Sequence, residues 1–347
     1  MSGYDKTALT EMASAILVKA GLASDMAQVV ADRLIEADLY GHDTHGLALL
    51  APYANEIAAG RMATSGAPET ISDKGAVTLW DGRRLPGVWT THLAVEEACR
   101  RARDFGCGVV VVRNGHHIAC LAAYLEAPAR AGMVVQILSS DPSVRAVAPH
   151  GGTSQIMTPN PIAIGFPTTG EPVLIDVSTS ITTMGQCARA GERDGHLPGK
   201  WLVGADGKAT SDVAALKEGG ALLAMGGTDH GHKGYGLGLM IEAMTQGLGG
   251  FGRAEQPNAW GASVTVMAFD PAAFGGAAAF ARETGWLAEA CRASAVPPGA
   301  APVRLPGEAA LARKRAAGDV VKLTPGIVPA LEGLAEKYGV AMVTPAG

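Results

Sequence analysis

Six short apolar runs, most of them rich in β-branched residues, divide the middle of this chain: "VTLW" (77–80), "VVVV" (109–112), "MVVQIL" (133–138), "PIAIGFP" (161–167), "PVLIDVS" (172–178) and "SVTVMAF" (263–269). Runs this short, bounded by Gly, Pro, Asp and Thr, read as strands. The surrounding segments have the helical period. Leu9, Met12, Ala13, Ile16, Leu17 and Ala20 share one face and stop at Gly21. Ser24 caps a second helix carrying Val30, Leu34 and Ala37. A third begins after the elbow "GHDTHG", with Leu47, Leu50, Ala54 and Ile57 inward and Pro52 in its first turn or at a kink. Further helices are expected around 95–102, 118–131, 235–246, 271–293, 308–317 and 326–338. A Thr-Thr-Gly turn joins the fourth and fifth runs as neighbouring strands. The expectation is an α/β protein with a mixed, largely antiparallel sheet and flanking helices.

A chain of 347 residues, 48% hydrophobic and 18% charged, builds a large core and more than one lobe. The net charge of −5 argues against nucleic acid or an anionic membrane as the main partner. No apolar run approaches a membrane span, and Asp5 and Glu11 interrupt the N-terminal stretch, so it does not read as a signal peptide. The five cysteines are scattered and form no CxxC pair. That pattern fits neither a disulfide framework nor a thiolate zinc site, and it points to a reducing cytoplasm.

The one GxGxxG, Gly247 to Gly252, follows a helical segment and opens no helix. A dinucleotide fingerprint needs strand, tight turn and helix N-terminus in that order, so the stretch reads as a helix stop and turn. The histidines are more telling. His42 with His45, His116 with His117, and His230 with His232 are three polar clusters in an otherwise apolar chain, which suggests convergence on one site. Taken singly, each is also a plausible cap or solvated turn. A metal reading meets the objection that HxxH without a partnering Glu lacks the HExxH geometry, so no metal is expected. Acid/base chemistry fits better. Thr44 or Asp43 capping the third helix would put His45 in its first turn, where the helix dipole favours the neutral ring. His45, Leu49 and Tyr53 would then share a helical face.

The residues also carry a resemblance. "GHDTHGLALLAPY", "VVRNGHHIA", "VAPHGG", "NPIAIGFPT", "IDVSTS", "HKGYGLGLMIE" and "RLPGE" occur in order from about residue 25 to 318. Together they resemble the NAD(P)-dependent malate/L-lactate dehydrogenase family that is unrelated to the Rossmann lactate dehydrogenases. That family includes sulfolactate and ureidoglycolate dehydrogenases, diketogulonate reductase, and reductases of the cyclic imines piperideine- and pyrroline-2-carboxylate. The resemblance implies a homodimer with a non-Rossmann cofactor fold and a small-molecule substrate. It implies a central α/β cofactor-binding domain over 76–299, and a helical substrate and dimerisation domain from 1–75 with 300–347. It implies His45 and His117 as proton donors, with Thr44 as a polar helper. Contacts to NAD or NADP are implied at Ile118, Ala119, Cys120, Leu121 and Ala122; at Asp176, Val177, Ser178, Thr179 and Ser180; at His232, Lys233 and Gly234; and at Arg304, Leu305, Pro306, Gly307 and Glu308. Leu49, Tyr53, Pro159, Asn160, Met184 and Gly185 are the implied substrate-side positions.

The departures fall on the substrate side. Leu49 stands where the family usually has an arginine able to hold a carboxylate bidentately. Thr158-Pro159-Asn160-Pro161 replaces "GTNP", and Gly115-His116-His117-Ile118-Ala119 replaces "SNHFG". Relatives carry Lys or Asp at Gln186. The sequence therefore reads as a hydride-transfer enzyme acting on a hydroxy or carbonyl carbon, with a histidine as acid/base. Reduction of a cyclic imine, a histidine-ligated metal hydrolase and a non-catalytic cofactor-binding paralogue stand as alternatives.

Overall fold

The computed structural model describes residues 2–345. Met1, Ala346 and Gly347, the extremes of the expected terminal domain, lie outside the described residues. The strands are β1 (Gly3–Asp5), β2 (Glu69–Lys74), β3 (Val77–Asp81), β4 (Cys107–Gly115), β5 (Val134–Ser140), β6 (Pro161–Phe166), β7 (Val173–Ser178), β8 (Leu202–Val203), β9 (Ala209–Thr210), β10 (Ala221–Leu222), β11 (Ala262–Phe269) and β12 (Val320–Lys322). The helices are α1 (Lys6–Lys19), α2 (Ser24–Tyr40), α3 (Leu50–Ala58), α4 (Gly87–Phe105), α5 (Glu126–Arg130), α6 (Met184–Gly191), α7 (Gly227–Glu242), α8 (Ala277–Arg292), α9 (Glu308–Ala317) and α10 (Val328–Tyr338). All six apolar runs are strands. The α/β class, with a mixed sheet and flanking helices, is as their alternation implies.

The chain divides into two compact units. Unit 1 comprises 1–137, 163–176 and 266–347; unit 2 comprises 138–162 and 177–265. This is a different division from one at 75/76 and 299/300. The chain changes unit inside or at the edge of β5, β6, β7 and β11, so no linker composition marks the change.

The main sheet has the order β2-β3-β4-β11-β5-β6-β7. It is mixed: β2 and β3 pair antiparallel, whereas β3 and β4 run parallel from Val77↔Val109 to Asp81↔Arg113. In unit 1, α4 packs along β4 and buries Val88, Ala94, Val95, Ala98 and Ala102. Helix α2 packs against α1, α4 and α9, and Leu34 and Ile35 are among its sealed side chains. In unit 2, β10-β8-β9 form a small sheet. Ala146, Val147, Met157, Cys187, Leu202 and Leu222 make a separate core there. Gly247 to Gly252 ends the helical run after α7, with Gly250 at φ +59°, as expected of a helix stop and turn.

Three expectations about local structure need correction. Ser24 is the first residue of α2 rather than its cap; Ala23 holds the cap position, and no side chain bonds there. The third helix starts at Leu50, not at the elbow; a 3₁₀ turn over Leu47–Leu49 precedes it, and neither turn has a side-chain cap. Thr44 and Asp43 therefore cap no helix, and His45 is not in a helical first turn. The helix-face and dipole arguments for His45 fall with that premise. Pro52 does sit in the first turn of α3, where its missing N–H costs nothing. The continuous helix expected over 118–131 is a loop, a 3₁₀ turn at Leu121–Tyr124 and the short α5. Ala119 at φ +56° breaks it near its start, and Pro128 disfavours a longer helix around its own position.

Candidate active site

The elbow hangs from the end of α2. Gly41 closes that helix at φ +83°, and the His42 N–H returns to the Ala37 carbonyl at 2.8 Å. From α2, Asp38 Oδ2 accepts the Leu47 N–H at 2.8 Å and fastens the far side of the elbow. The chain passes so close that a methyl group on Gly46 would overlap the Asp38 carboxyl group. Burial pushes Asp38 up to about 7 against the opposing pull of that N–H. Within the clamp, Thr44 Oγ1 lies 2.8 Å from His45 Nδ1 and fixes the ring plane.

The second histidine pair comes at the end of β4. There α4 begins at Gly87, where any side chain would strike the His116 carbonyl. His116 is 0% exposed, and its Nε2 lies 3.2 Å from Glu56 Oε2. Burial drives His116 down to about 4 in spite of that partner, so the ring is neutral at physiological pH. The Arg61 guanidinium, 2.6 Å from Glu56, holds the Glu56 carboxylate below its ordinary range.

His117 turns to different partners. Its Nδ1 is 2.8 Å from the Tyr53 hydroxyl and 3.4 Å from the Ala119 N–H. A backbone N–H can only donate, so Nδ1 accepts and the ring proton is assigned to Nε2. Burial keeps Tyr53 a phenol. Burial, reinforced by His45 and His116, holds His117 well below the ordinary 6.5. The His45 and His117 rings stand 6.0 Å apart at 31°. A pair of imidazoles, each fixed at Nδ1 by a hydroxyl, can exchange a proton with a small molecule.

Below the rings, the 118–122 loop meets the end of β7. Asp176 Oδ2 accepts the Ala122 N–H at 2.8 Å and lies 3.7 Å from Cys120 Sγ. Burial raises both groups. The Tyr124 hydroxyl donates to the Ile118 carbonyl at 2.7 Å, and Leu121 is sealed. His42 joins Cys120 and Asp176, with one ligand atom of each lying within 4.8 Å of the others. At Arg304 to Glu308, Pro306 accepts the Leu174 N–H at 3.2 Å. Glu308 Oε2 receives the Leu305 N–H at 2.8 Å, and Gly307 caps α9 at φ +83°.

Unit 2 holds the remaining positions. Thr179 donates its N–H and hydroxyl to the Pro159 carbonyl at 2.8 and 3.0 Å. Ser178 and Ser180 bond within their own turn, and Val177 is 43% exposed. Asn160 is 0% exposed at φ +40°, and its amide goes to Gly238 and Glu242 at 3.2 and 3.0 Å. Its side chain thus braces α7 rather than facing solvent. Met184 and Gly185 open α6, and His232 and Lys233 are exposed on α7 beside the buried Gly234. Here the third histidine cluster gathers His150: its ring is 5.7 Å from His232, and His230 is 6.2 Å from His232.

Sequence reasoning missed four features: Asp38, the Glu56–Arg61 support of His116, His150, and the meeting of His42 with Cys120 and Asp176. Asp38 left a trace, one helical turn before His42. The others join residues far apart in the chain and have no local signature.

Comparison with known proteins settles the family. A family model described as malate/L-lactate dehydrogenase matches residues 4–331. The chain belongs to that family. The malate/L-lactate dehydrogenases are oxidoreductases. Malate dehydrogenase of Pyrococcus abyssi (strain GE5 / Orsay) is 34% identical over 68% of this chain and 65% of its own length. The chain thus spans just under two thirds of that relative. L-lactate dehydrogenase of Cupriavidus necator is 29% identical over 97% of this chain and 98% of its own. The solved malate dehydrogenase of Pyrococcus horikoshii OT3 superposes with a TM-score of 0.86 at 27% identity, over 98% of this chain and 96% of that one. Among the described residues, no helix of this family member is long and apolar enough to cross a membrane.

Proposed function

We propose that this family member is an NAD(P)-dependent dehydrogenase acting on a small 2-hydroxy or 2-oxo acid or a related compound. The observation that carries the reading is the imidazole pair: His45 braced by Thr44, His117 braced by Tyr53, 6.0 Å apart. A hydroxyl carbon losing hydride must also lose its O–H proton, and a positioned imidazole supplies that exchange. With Nδ1 of each ring bonded to a neighbour, proton transfer runs through Nε2. His45, on the more open elbow, donates Nδ1–H to the Thr44 hydroxyl and takes the substrate proton on Nε2 in oxidation. His117, neutral and buried, donates its Nε2–H as a hydrogen bond to the substrate oxygen and holds it in place.

The donor set fits a nicotinamide cofactor. In unit 1 the 118–122 loop, Asp176 and the Arg304–Glu308 turn offer backbone and carboxylate partners. Unit 2, taken by itself, exposes His232 and Lys233, a ring and a cation of the kind that meets ribose and phosphate. When bound, the cofactor accepts or supplies the hydride. The chain's own residues hold the substrate, restrict water and move the proton. We also propose a homodimer, supported by Phe274, Trp286 and Leu287, which are 67%, 70% and 55% exposed. A reducing cytoplasm agrees with the free state of all five cysteines.

The decisive assay follows cofactor depletion with NADH and NADPH across 2-oxo acids and cyclic imines. The imine arm is run with and without a 2-carboxylate, because Leu49 offers no donor to a carboxylate on either class of substrate. His45→Ala and His117→Ala should each lower turnover at least about a hundredfold, with little change in cofactor affinity. His116→Ala should be milder. Undiminished turnover in both His45→Ala and His117→Ala would remove the imidazole pair from the mechanism.

A further inference from the structure

His42, Cys120 and Asp176 come from three separate places: the loop after α2, the turn after β4 and the end of β7. All belong to unit 1. They present one imidazole nitrogen, one sulfur and one carboxylate oxygen, all within 4.8 Å of one another. We propose that they form a three-ligand site for a borderline-soft divalent cation, with zinc as its natural occupant.

The geometry supports this. Zinc bonds of about 2.3 Å to sulfur and about 2.0 Å to oxygen, at tetrahedral angles, put those two ligands roughly 3.5 Å apart. Cys120 Sγ and Asp176 Oδ2 are 3.7 Å apart. The donor set combines one soft, one borderline and one hard ligand, which suits zinc and disfavours magnesium or calcium. The supporting shell is in place as well. Asp176 Oδ2 is oriented by the Ala122 N–H at 2.8 Å. The His42 backbone is tied to Ala37 at 2.8 Å, and Ile118 to Tyr124 at 2.7 Å. Cys120 is 3% exposed, whereas His42 and Asp176 are only half-buried, so the ion has a route in. Binding expels the thiol proton and leaves a thiolate on the ion. Three protein ligands leave the fourth position to water. The inference goes beyond the proposed activity, although it shares Cys120 and Asp176 with the stretch proposed to meet the cofactor, so metal binding is read on the chain without cofactor.

The test uses the full chain stripped with a chelator and titrated with Co²⁺ as a spectroscopic substitute, then with Zn²⁺ by calorimetry. The expected result is one ion per chain, a thiolate-to-cobalt charge-transfer band and the visible bands of a four-coordinate site. Cys120→Ser should abolish the charge-transfer band. His42→Ala should weaken zinc binding at least about tenfold and remove the zinc-induced rise in melting temperature. His42 lies on a half-exposed loop, so its variant decides the matter if Cys120→Ser does not fold. A wild type without the charge-transfer band, a band that survives in Cys120→Ser, or zinc affinity unchanged in His42→Ala overturns the site. None of these readouts uses turnover, so failure here is distinct from failure of the dehydrogenase reading.

Discussion

Asp38→Asn tests the clamp that holds the elbow beside His45. Asp38 Oδ2 receives the Leu47 N–H at 2.8 Å, and an asparagine carbonyl can take the same bond without charge. The unfolded chain releases the Asp38 proton near the ordinary 3.8, whereas the fold retains it to about 7. Between those values the folded state binds more protons than the unfolded state, so stability falls as pH rises and levels off above the folded value. At about 1.4 kcal/mol per pH unit over about three units, the loss is roughly 4 kcal/mol. The side chain is not wholly sealed, and screening trims the observable loss to roughly 2–3 kcal/mol. Asp38→Asn should therefore match wild type near the ordinary carboxylate range and exceed it by that margin at mildly alkaline pH. Urea denaturation of both proteins across the range reads the difference directly. Asp38→Ala separates charge from hydrogen bonding, because it leaves the Leu47 N–H without its acceptor and should cost about 1–3 kcal/mol relative to asparagine at every pH. A gap between Asp38→Asn and wild type that does not vary with pH, or an asparagine variant weaker at alkaline pH, would refute the reasoning.

Tyr53→Phe removes the hydroxyl that fixes His117 at 2.8 Å, and kcat should fall by up to about tenfold with KM nearly unchanged; an unaltered kcat would show that the Ala119 N–H orients the ring alone. His117 is held well below 6.5, so any limb of kcat/KM set by protonation of its ring should lie below pH 6.5; a limb above that value belongs to another group. Leu49→Arg restores the donor usual in the family and should raise kcat/KM on pyruvate or oxaloacetate while lowering it on the native substrate. Wild type already efficient on malate or lactate would show that position 49 is not where the carboxylate is held.

Local chemistry made much of this protein legible before any coordinates. A β-branched run such as "VVVV" has little alternative to a buried strand, and the Leu9-to-Ala20 stripe little alternative to a helix face. Histidine clustering marked the elbow and the end of β4 as chemical, and the order of the motifs carried the family. Other features were decided only in three dimensions. The stretch 118–131 has helical spacing, yet Ala119 takes a left-handed conformation that no local rule assigns to alanine. Thr44 has the chemistry of a cap, yet the Asp38–Leu47 bond holds the elbow open until Leu50 and leaves the hydroxyl for His45. The pKa of Asp38, the neutrality of His116 and the convergence of His42, Cys120 and Asp176 all depend on what packs around them. Residue type and spacing set what a segment can do by itself, because propensity and periodicity act within a few residues. Burial, hydrogen-bond partners and the meeting of distant side chains belong to the packed chain, because desolvation and close contact arise only when segments far apart in sequence come together.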